Sequence, residues 1–178
     1  IMDTISQQLI TERLNESSYI FKQGMEDINA EVEAALKKFF GKKWKTVNID
    51  NREIIDTGIS FKSPAGVSTL RLSLDEIAYL YNQYKNPETH PAFESAGLTP
   101  EIMEQLTDFL MEDTPSGKKD SALKQWADWQ VDVLFPKLYN RYNETYRDIF
   151  GTNMPWNMVY AGKLYRTGAE NNKISSLL

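Results

Sequence analysis

Two groupings of side chains in this sequence could do chemistry. Lys37, Lys38, Lys42, Lys43 and Lys45 are interleaved with Phe39, Phe40 and Trp44. Ammonium groups neutralise phosphates and aromatic rings stack on bases, which is the physics of single-strand nucleic-acid binding. The competing reading is local: lysines at a helix C-terminus favour the negative end of the dipole while the aromatics enter the core. A formal charge of −5, from 20 Lys and Arg against 25 Asp and Glu, favours the local reading. The second grouping is aromatic. Trp126 and Trp129 fall three residues apart on one helical face, followed by Tyr139, Tyr142 and Tyr146. Such a stripe serves as a sugar or base platform, as core, or as a protein–protein interface.

Other chemistries lack their residues. With no cysteine there is no disulfide scaffold, thiol nucleophile or Cys-based zinc site. His90, in Glu88-Thr89-His90-Pro91, is the one histidine, so a Ser-His-Asp triad or multi-His metal centre is hard to build. It reads as an exposed loop or cap residue. A pair of carboxylates would suffice for a glycosidase acting on cell wall. Among 25 acids no pair stands out, and Asp75, Glu76 and Glu101 sit where helix caps want them. No dinucleotide, Walker, HExxH or nucleophile-elbow motif occurs. The sequence therefore assigns no catalytic residue, metal or cofactor, and leans away from an enzyme.

The elements that must position these residues are mostly helical. A chain of 178 residues with 41% hydrophobic and 25% charged residues is long enough for one folded domain. From Asp3 to Phe40 apolar residues fall at Ile5, Leu9, Leu14, Phe21, Met25, Ile28, Val32, Leu36 and Phe39, mostly three or four apart, and a break in this long helix is expected near Ser17-Ser18, since serine favours caps over helix interiors. Gly41 is a natural stop. Between residues 44 and 72 the period changes. Val47–Ile49, Ile54-Ile55, Ile59–Phe61 and Thr69–Leu72 read as strands, and a turn over Ser63–Gly66 makes a small β-hairpin, or else an irregular insert.

Helix signals resume at Ser73, where Ser73 and Glu76 fit a capping box. That helix stops before Pro87, and a short one ends at Gly97. Thr99-Pro100-Glu101 starts another, expected to reach about Met111. Thr114–Gly117 reads as a loop. A second long helix follows, kinked or divided at Pro136 and closed by Gly151. Met154 to Tyr160 reads as extended. The predicted core draws on Leu36, Phe40, Leu80, Phe109, Trp126, Leu134, Tyr142 and Ile149.

No apolar run approaches the ~20 residues that a membrane span needs, and the first residues lack the pattern of a secretory signal. The sequons at Asn15 and Asn143 are accordingly read as chance. An initial Ile1 and a final Ser175-Ser176-Leu177-Leu178 fit a unit cut from a longer polypeptide.

The segment Leu70 to Asn82, followed by Phe93-Glu94-Ser95-Ala96-Gly97-Leu98, resembles a recurrent region of very large bacteriophage polyvalent or internal virion proteins. Asn140 to Tyr146, Phe150-Gly151 and Asn157 to Tyr160 extend the likeness, which covers roughly Thr69 to Tyr165. These are cap and packing patterns. After the tyrosine the family often has a proline turn, whereas Ala161-Gly162-Lys163 stands here. The resemblance implies a packaged or injected phage protein with its catalytic domains elsewhere in the polypeptide, and it carries over no catalytic residue.

The sequence thus predicts a mainly α fold: two long helices, shorter helices, and a small β-hairpin or irregular insert near residues 44–72. It divides into a long N-terminal helix over 1–41 and a helical domain over 42–178. The expected function is a non-catalytic structural or interaction segment of a large virion protein. Its partners would be other phage proteins or the rest of the same polypeptide, in the virion interior or the host cytoplasm. One alternative is a module contacting DNA through Lys37, Lys38, Lys42, Lys43, Trp44 and Lys45. The other is a peptidoglycan-degrading enzyme.

Overall fold

The computed structural model describes residues 22–45, 53–63 and 66–158. The fold is mainly α with small antiparallel hairpins. The first helix, α1, occupies residues 22–40, and a single 3-10 turn, Gly41–Lys43, ends it with Gly41 at φ +61°. The stretch 3–21 of the predicted long helix, the strand expected at Val47–Ile49 and the end of the tail at Val159-Tyr160 lie outside the described residues.

The predicted hairpin is present. Strand β1 (Ile55–Ser63) pairs antiparallel with β2 (Gly66–Leu72), with Ser63 opposite Gly66 across the turn and Ile55 opposite Leu72 at the open end. Alternation turns Ile59, Phe61, Leu70 and Leu72 inward. A bulge between Asp56 and Ser60 keeps that alternation in phase. Gly58 supplies its left-handed residue, and its N–H donates to Asp56 Oδ1 at 3.0 Å.

Helix α2 (Leu74–Tyr84) starts where the cap pattern places it, with the Ser73 N–H donating to Glu76 Oε2 at 2.9 Å. Helix α3 (His90–Ala96) ends at Gly97, whose φ of +91° closes the helix. That glycine has a second reason to be there. A Cβ at this position would lie 2.5 Å from the Lys62 carbonyl oxygen, so β1 can approach only a residue without a side chain. Helix α4 (Pro100–Asp108) is capped by Thr99 Oγ1, which accepts from the Ile102 N–H.

The expected run of α4 to Met111 is corrected here. The helix ends at Asp108, and a second hairpin begins: β3 (Met111–Thr114) pairs with β4 (Gly117–Asp120). The predicted loop at Thr114–Gly117 is its turn. Helix α5 (Ala122–Trp129), capped by Ser121, then passes through a wider π turn over Gln130–Leu134 into α6 (Phe135–Phe150). Pro136, in the first turn of α6, has no N–H to give back to residue 132. The π turn just before it absorbs that gap, so the long helix is re-phased at the proline and not broken.

One cluster forms the main core. Ile59, Phe61, Leu70 and Leu72 from the hairpin meet Ile77 and Leu80 of α2, Phe93 and Ala96 of α3, Leu98, Met103 and Leu106 of α4, Leu110, and Ala127 of α5. A smaller cluster joins Val131 and Phe135 to Leu134, Leu138 and Met158. Of the predicted core, Leu80 and Trp126 are buried, while Leu36, Phe40 and Leu134 are half-buried. Phe109, Tyr142 and Ile149 are exposed, at 37%, 38% and 67%. The reading of these three as core is thereby corrected: Phe109 falls just past the end of α4, and no described element packs over Tyr142 and Ile149 on α6.

Helix α1 meets α6 through side chains: Glu31 pairs with Lys137, and the Arg141 guanidinium reaches Gly24, where a Cβ would force it to shift.

Candidate functional site

The polar network between α2 and α5 is the densest in the described residues. It grows from two i, i+4 spacings, Tyr81 with Lys85 on α2 and Lys124 with Asp128 on α5, which bring each pair to one helical face. The Tyr81 hydroxyl donates to Asp128 Oδ1 at 2.7 Å. Lys85 pairs with the same oxygen. Lys124 reaches Asp128 Oδ2 and Asp120 Oδ1, both at 3.2 Å. Both ammoniums also lie over the Tyr81 ring, 5.0 and 5.3 Å from its centroid.

Its electrostatics argue against reactivity. Burial, reinforced by the bond to the Asp128 carboxylate, pushes the Tyr81 hydroxyl up to about 12. A tyrosine that resists ionisation is a poor base or nucleophile. Burial opposes charge on Asp128, yet its bonds to Lys85, Tyr81 and Lys124 outweigh that and hold its carboxyl below the usual range. Burial likewise opposes charge on Lys124, and its bonds to Asp120, Tyr81 and Asp128 outweigh it, raising the ammonium above its ordinary value. Two cations and two carboxylates balance, so the cluster has no surplus charge to hold an anion. It is a strut between two helices. Beside it Asn82, 4% exposed, donates to Gln130 Oε1 at 3.4 Å, while its own Oδ1 is buried without a protein partner.

In the lysine–aromatic cluster, Lys37 and Lys45 place their ammoniums over the half-buried Trp44 ring, 5.2 and 5.3 Å from its centroid. Lys38 lies over Phe39 at 5.4 Å. Lys37 is also bound to Glu33 at 2.6 Å, and that hydrogen bond lowers the exposed Glu33 carboxyl. Lys42 is exposed, and the side chain of Lys43 lies outside the described residues. A base stacking on Trp44 would have to displace the ammoniums already over it.

Trp126 and Trp129 stack on each other with centroids 5.2 Å apart. Trp126 is buried, so the pair cannot present two open faces to a sugar. The tyrosines divide. Tyr139 donates to the Met154 carbonyl at 2.7 Å and meets Trp156 edge-on. Asn143 accepts from the Met154 N–H at 2.7 Å and donates to Asn153 Oδ1 at 3.0 Å. These bonds fold the tail back onto α6, and they give the asparagine of the second sequon a structural role. His90 is a brace more than an exposed residue. It is half-buried, its ring stacks on Tyr84 at 4.2 Å, and Nε2 bonds the Tyr84 carbonyl at 2.9 Å.

Tyr142 and Tyr146 take part in a different arrangement. With Leu138, Thr145, Ile149, Phe150 and Met154 they line an apolar groove of about 580 Å³ along the C-terminal half of α6. Phe150 is 62% exposed and Trp156, on the adjoining tail, 53%. A folded chain normally buries such side chains, and no described residue covers this strip. Sequence reasoning found Tyr142 and Tyr146 and missed Ile149 and Phe150, which it assigned to the core or to a helix end. Among the described residues no cluster of His, Asp and Glu could hold a metal ion, and no helix is long and apolar enough to cross a membrane.

No protein family, curated protein or solved structure matches this chain.

Proposed function

We propose that this chain is a non-catalytic structural and interaction segment of a large phage virion-associated protein. It works through protein–protein contacts, with other phage proteins or the rest of the same polypeptide, made by the exposed apolar strip of α6. The observation that carries the reading is the contrast between spent polar groups and an unspent apolar face. The cluster between α2 and α5 is neutralised internally, Lys85 and Lys124 by Asp120 and Asp128, with Tyr81 bonded to Asp128. Against it stands the exposed apolar groove to which Ile149, Phe150 and Met154 contribute. The phage setting is supported by the resemblance over Thr69 to Tyr165.

The test is quantitative mass spectrometry of purified virions before and after genome ejection. Peptides abundant in full particles and depleted after ejection are the expected result. Their absence from particles would remove the virion reading, and turnover of purified cell wall by this chain would remove the non-catalytic one.

A further inference from the structure

We infer that the side of α6 carrying Phe135, Tyr139 and Asn143 is a receptor for an extended peptide. Residues 153–158 fill it in cis, and the same segment of a second copy of this chain takes their place when the tail swings out. The inference goes beyond the reading of the open apolar strip, because it rests on contacts that α6 already makes.

Those contacts have the form of peptide recognition. Tyr139 and Asn143 lie one turn apart on α6 and together hold both main-chain groups of Met154. The Tyr139 hydroxyl donates to the Met154 carbonyl, and Asn143 Oδ1 accepts from the Met154 N–H, each at 2.7 Å. Asn143 also donates from Nδ2 to Asn153 Oδ1 at 3.0 Å. Main-chain bonds of this kind hold an extended segment, and side chains at alternate positions then select it.

That alternation is present. Met154 lines the groove, Trp156 meets the Tyr139 ring edge-on with centroids 4.6 Å apart, and Met158 packs on the cluster of Val131 and Phe135. Asn153, Pro155 and Asn157, between them, are exposed. The tail therefore runs antiparallel to α6, from Asn143 back toward Phe135. The spacings agree: two extended residues advance about 6.6 Å and one helical turn about 5.4 Å. Each second tail residue thus meets the next turn of the helix.

The way the tail is joined permits exchange. Its connector is Gly151 and Thr152, both exposed, and Gly151 turns the chain back at φ +71°. Glycine populates both signs of φ, so rotation at this one residue carries the tail away and leaves α6 intact. Trp156 stays 53% exposed on its seat, so the tail is lightly held. A second copy carries the matching segment by construction, and reciprocal exchange closes a two-fold dimer.

Two full-length variants test this by complementation. Met154→Pro with Trp156→Ala breaks the tail and keeps the face, since proline has no N–H for Asn143. Tyr139→Phe with Asn143→Ala breaks the face and keeps the tail. None of the four positions lies in the main core, and far-ultraviolet circular dichroism equal to that of the parent chain checks the fold. The two are mixed at about 1 mM each, the order of the effective concentration that a short connector supplies. Light scattering should then find a complex of twice the monomer mass in the mixture and monomers in each variant alone. A mixture that scatters as the sum of its parts would overturn the inference. Association of either variant alone, equal to that of the mixture, would also overturn it and leave the open strip of α6 standing as the contact surface. If either double variant loses helix content, a labelled peptide of residues 152–158 decides. It should bind Met154→Pro about tenfold or more tightly than the parent chain, whose own tail competes for the face, and equal binding to the two contradicts the inference.

Discussion

The main core and the C-terminal half of α6 are built from similar residue types and end in opposite states. In the core, Leu80, Leu98 and Leu110 are wholly enclosed, because four helices and a hairpin converge in the same cluster. On α6, Ile149 and Phe150 follow the same helical periodicity and remain open. Amphipathic pattern therefore states that a face is meant to be covered; it does not state by what. The hairpin β1–β2 and helices α2–α5 cover one another, whereas no described element covers the C-terminal half of α6.

The largest effect that would sharpen this contrast comes from the core. Phe93→Ala removes a fully enclosed ring and should cost about 3–5 kcal/mol, read as a lower urea midpoint. A cost below ~1 kcal/mol would mean that the core is loosely packed. Gly97→Ala should follow, at roughly 2–3 kcal/mol, since the new Cβ meets both a left-handed backbone and the Lys62 carbonyl. A melting temperature equal to that of the parent chain would show that β1 can move away from α3.

The polar strut between α2 and α5 should show in the pH dependence of stability. Asp128 is held below its ordinary value of 3.8, so its contribution is present above that value and is lost as pH falls through the lower folded value. Tyr81 is raised from 10.0 to about 12, so its contribution is complete below pH 10 and is lost as pH rises toward 12. Lys124, also raised, adds to the same alkaline loss. Asp128→Asn should flatten the acid limb and Tyr81→Phe the alkaline limb, each at about 1–2 kcal/mol near neutrality. Unchanged limbs in urea titrations across pH would show that the network contributes nothing to folding. A smaller effect is expected at Asn143→Ala. It frees the tail from two hydrogen bonds for about 1 kcal/mol, and protease cleavage between Gly151 and Met158 should quicken. Unaltered cleavage would mean that other contacts hold the tail.

Local signals carried most of what was legible in the sequence. Ser73 with Glu76, Thr99 with Pro100, and the glycines at 97 and 151 fix helix ends through bonds between residues a few positions apart. Neighbouring residues suffice to reveal them. The second hairpin left no such trace. Its strands carry Glu112, Asp113, Lys118 and Lys119, whose cross-strand pairing replaces apolar alternation, and Lys119 meets Glu112 at 3.3 Å. The strut was illegible for another reason: Tyr81 and Asp128 are far apart in sequence, and only the i, i+4 spacings within each helix hinted at it. The aromatic stripe was visible as a stripe. Its division into a stacked Trp126–Trp129 pair, a tail anchor at Tyr139 and an open groove at Tyr142 and Tyr146 depends on tertiary packing.

The central claim is that the α6 face is set apart from the core that holds the fold together. Urea unfolding of Ile149→Asp beside Leu80→Ala, followed by tryptophan fluorescence, tests it most directly. Leu80→Ala should lose about 2–5 kcal/mol, whereas Ile149→Asp should keep the core transition within about 1 kcal/mol of the parent chain. If Ile149→Asp proves as damaging as Leu80→Ala, the exposed face is part of the core and the division of the molecule into two regions fails.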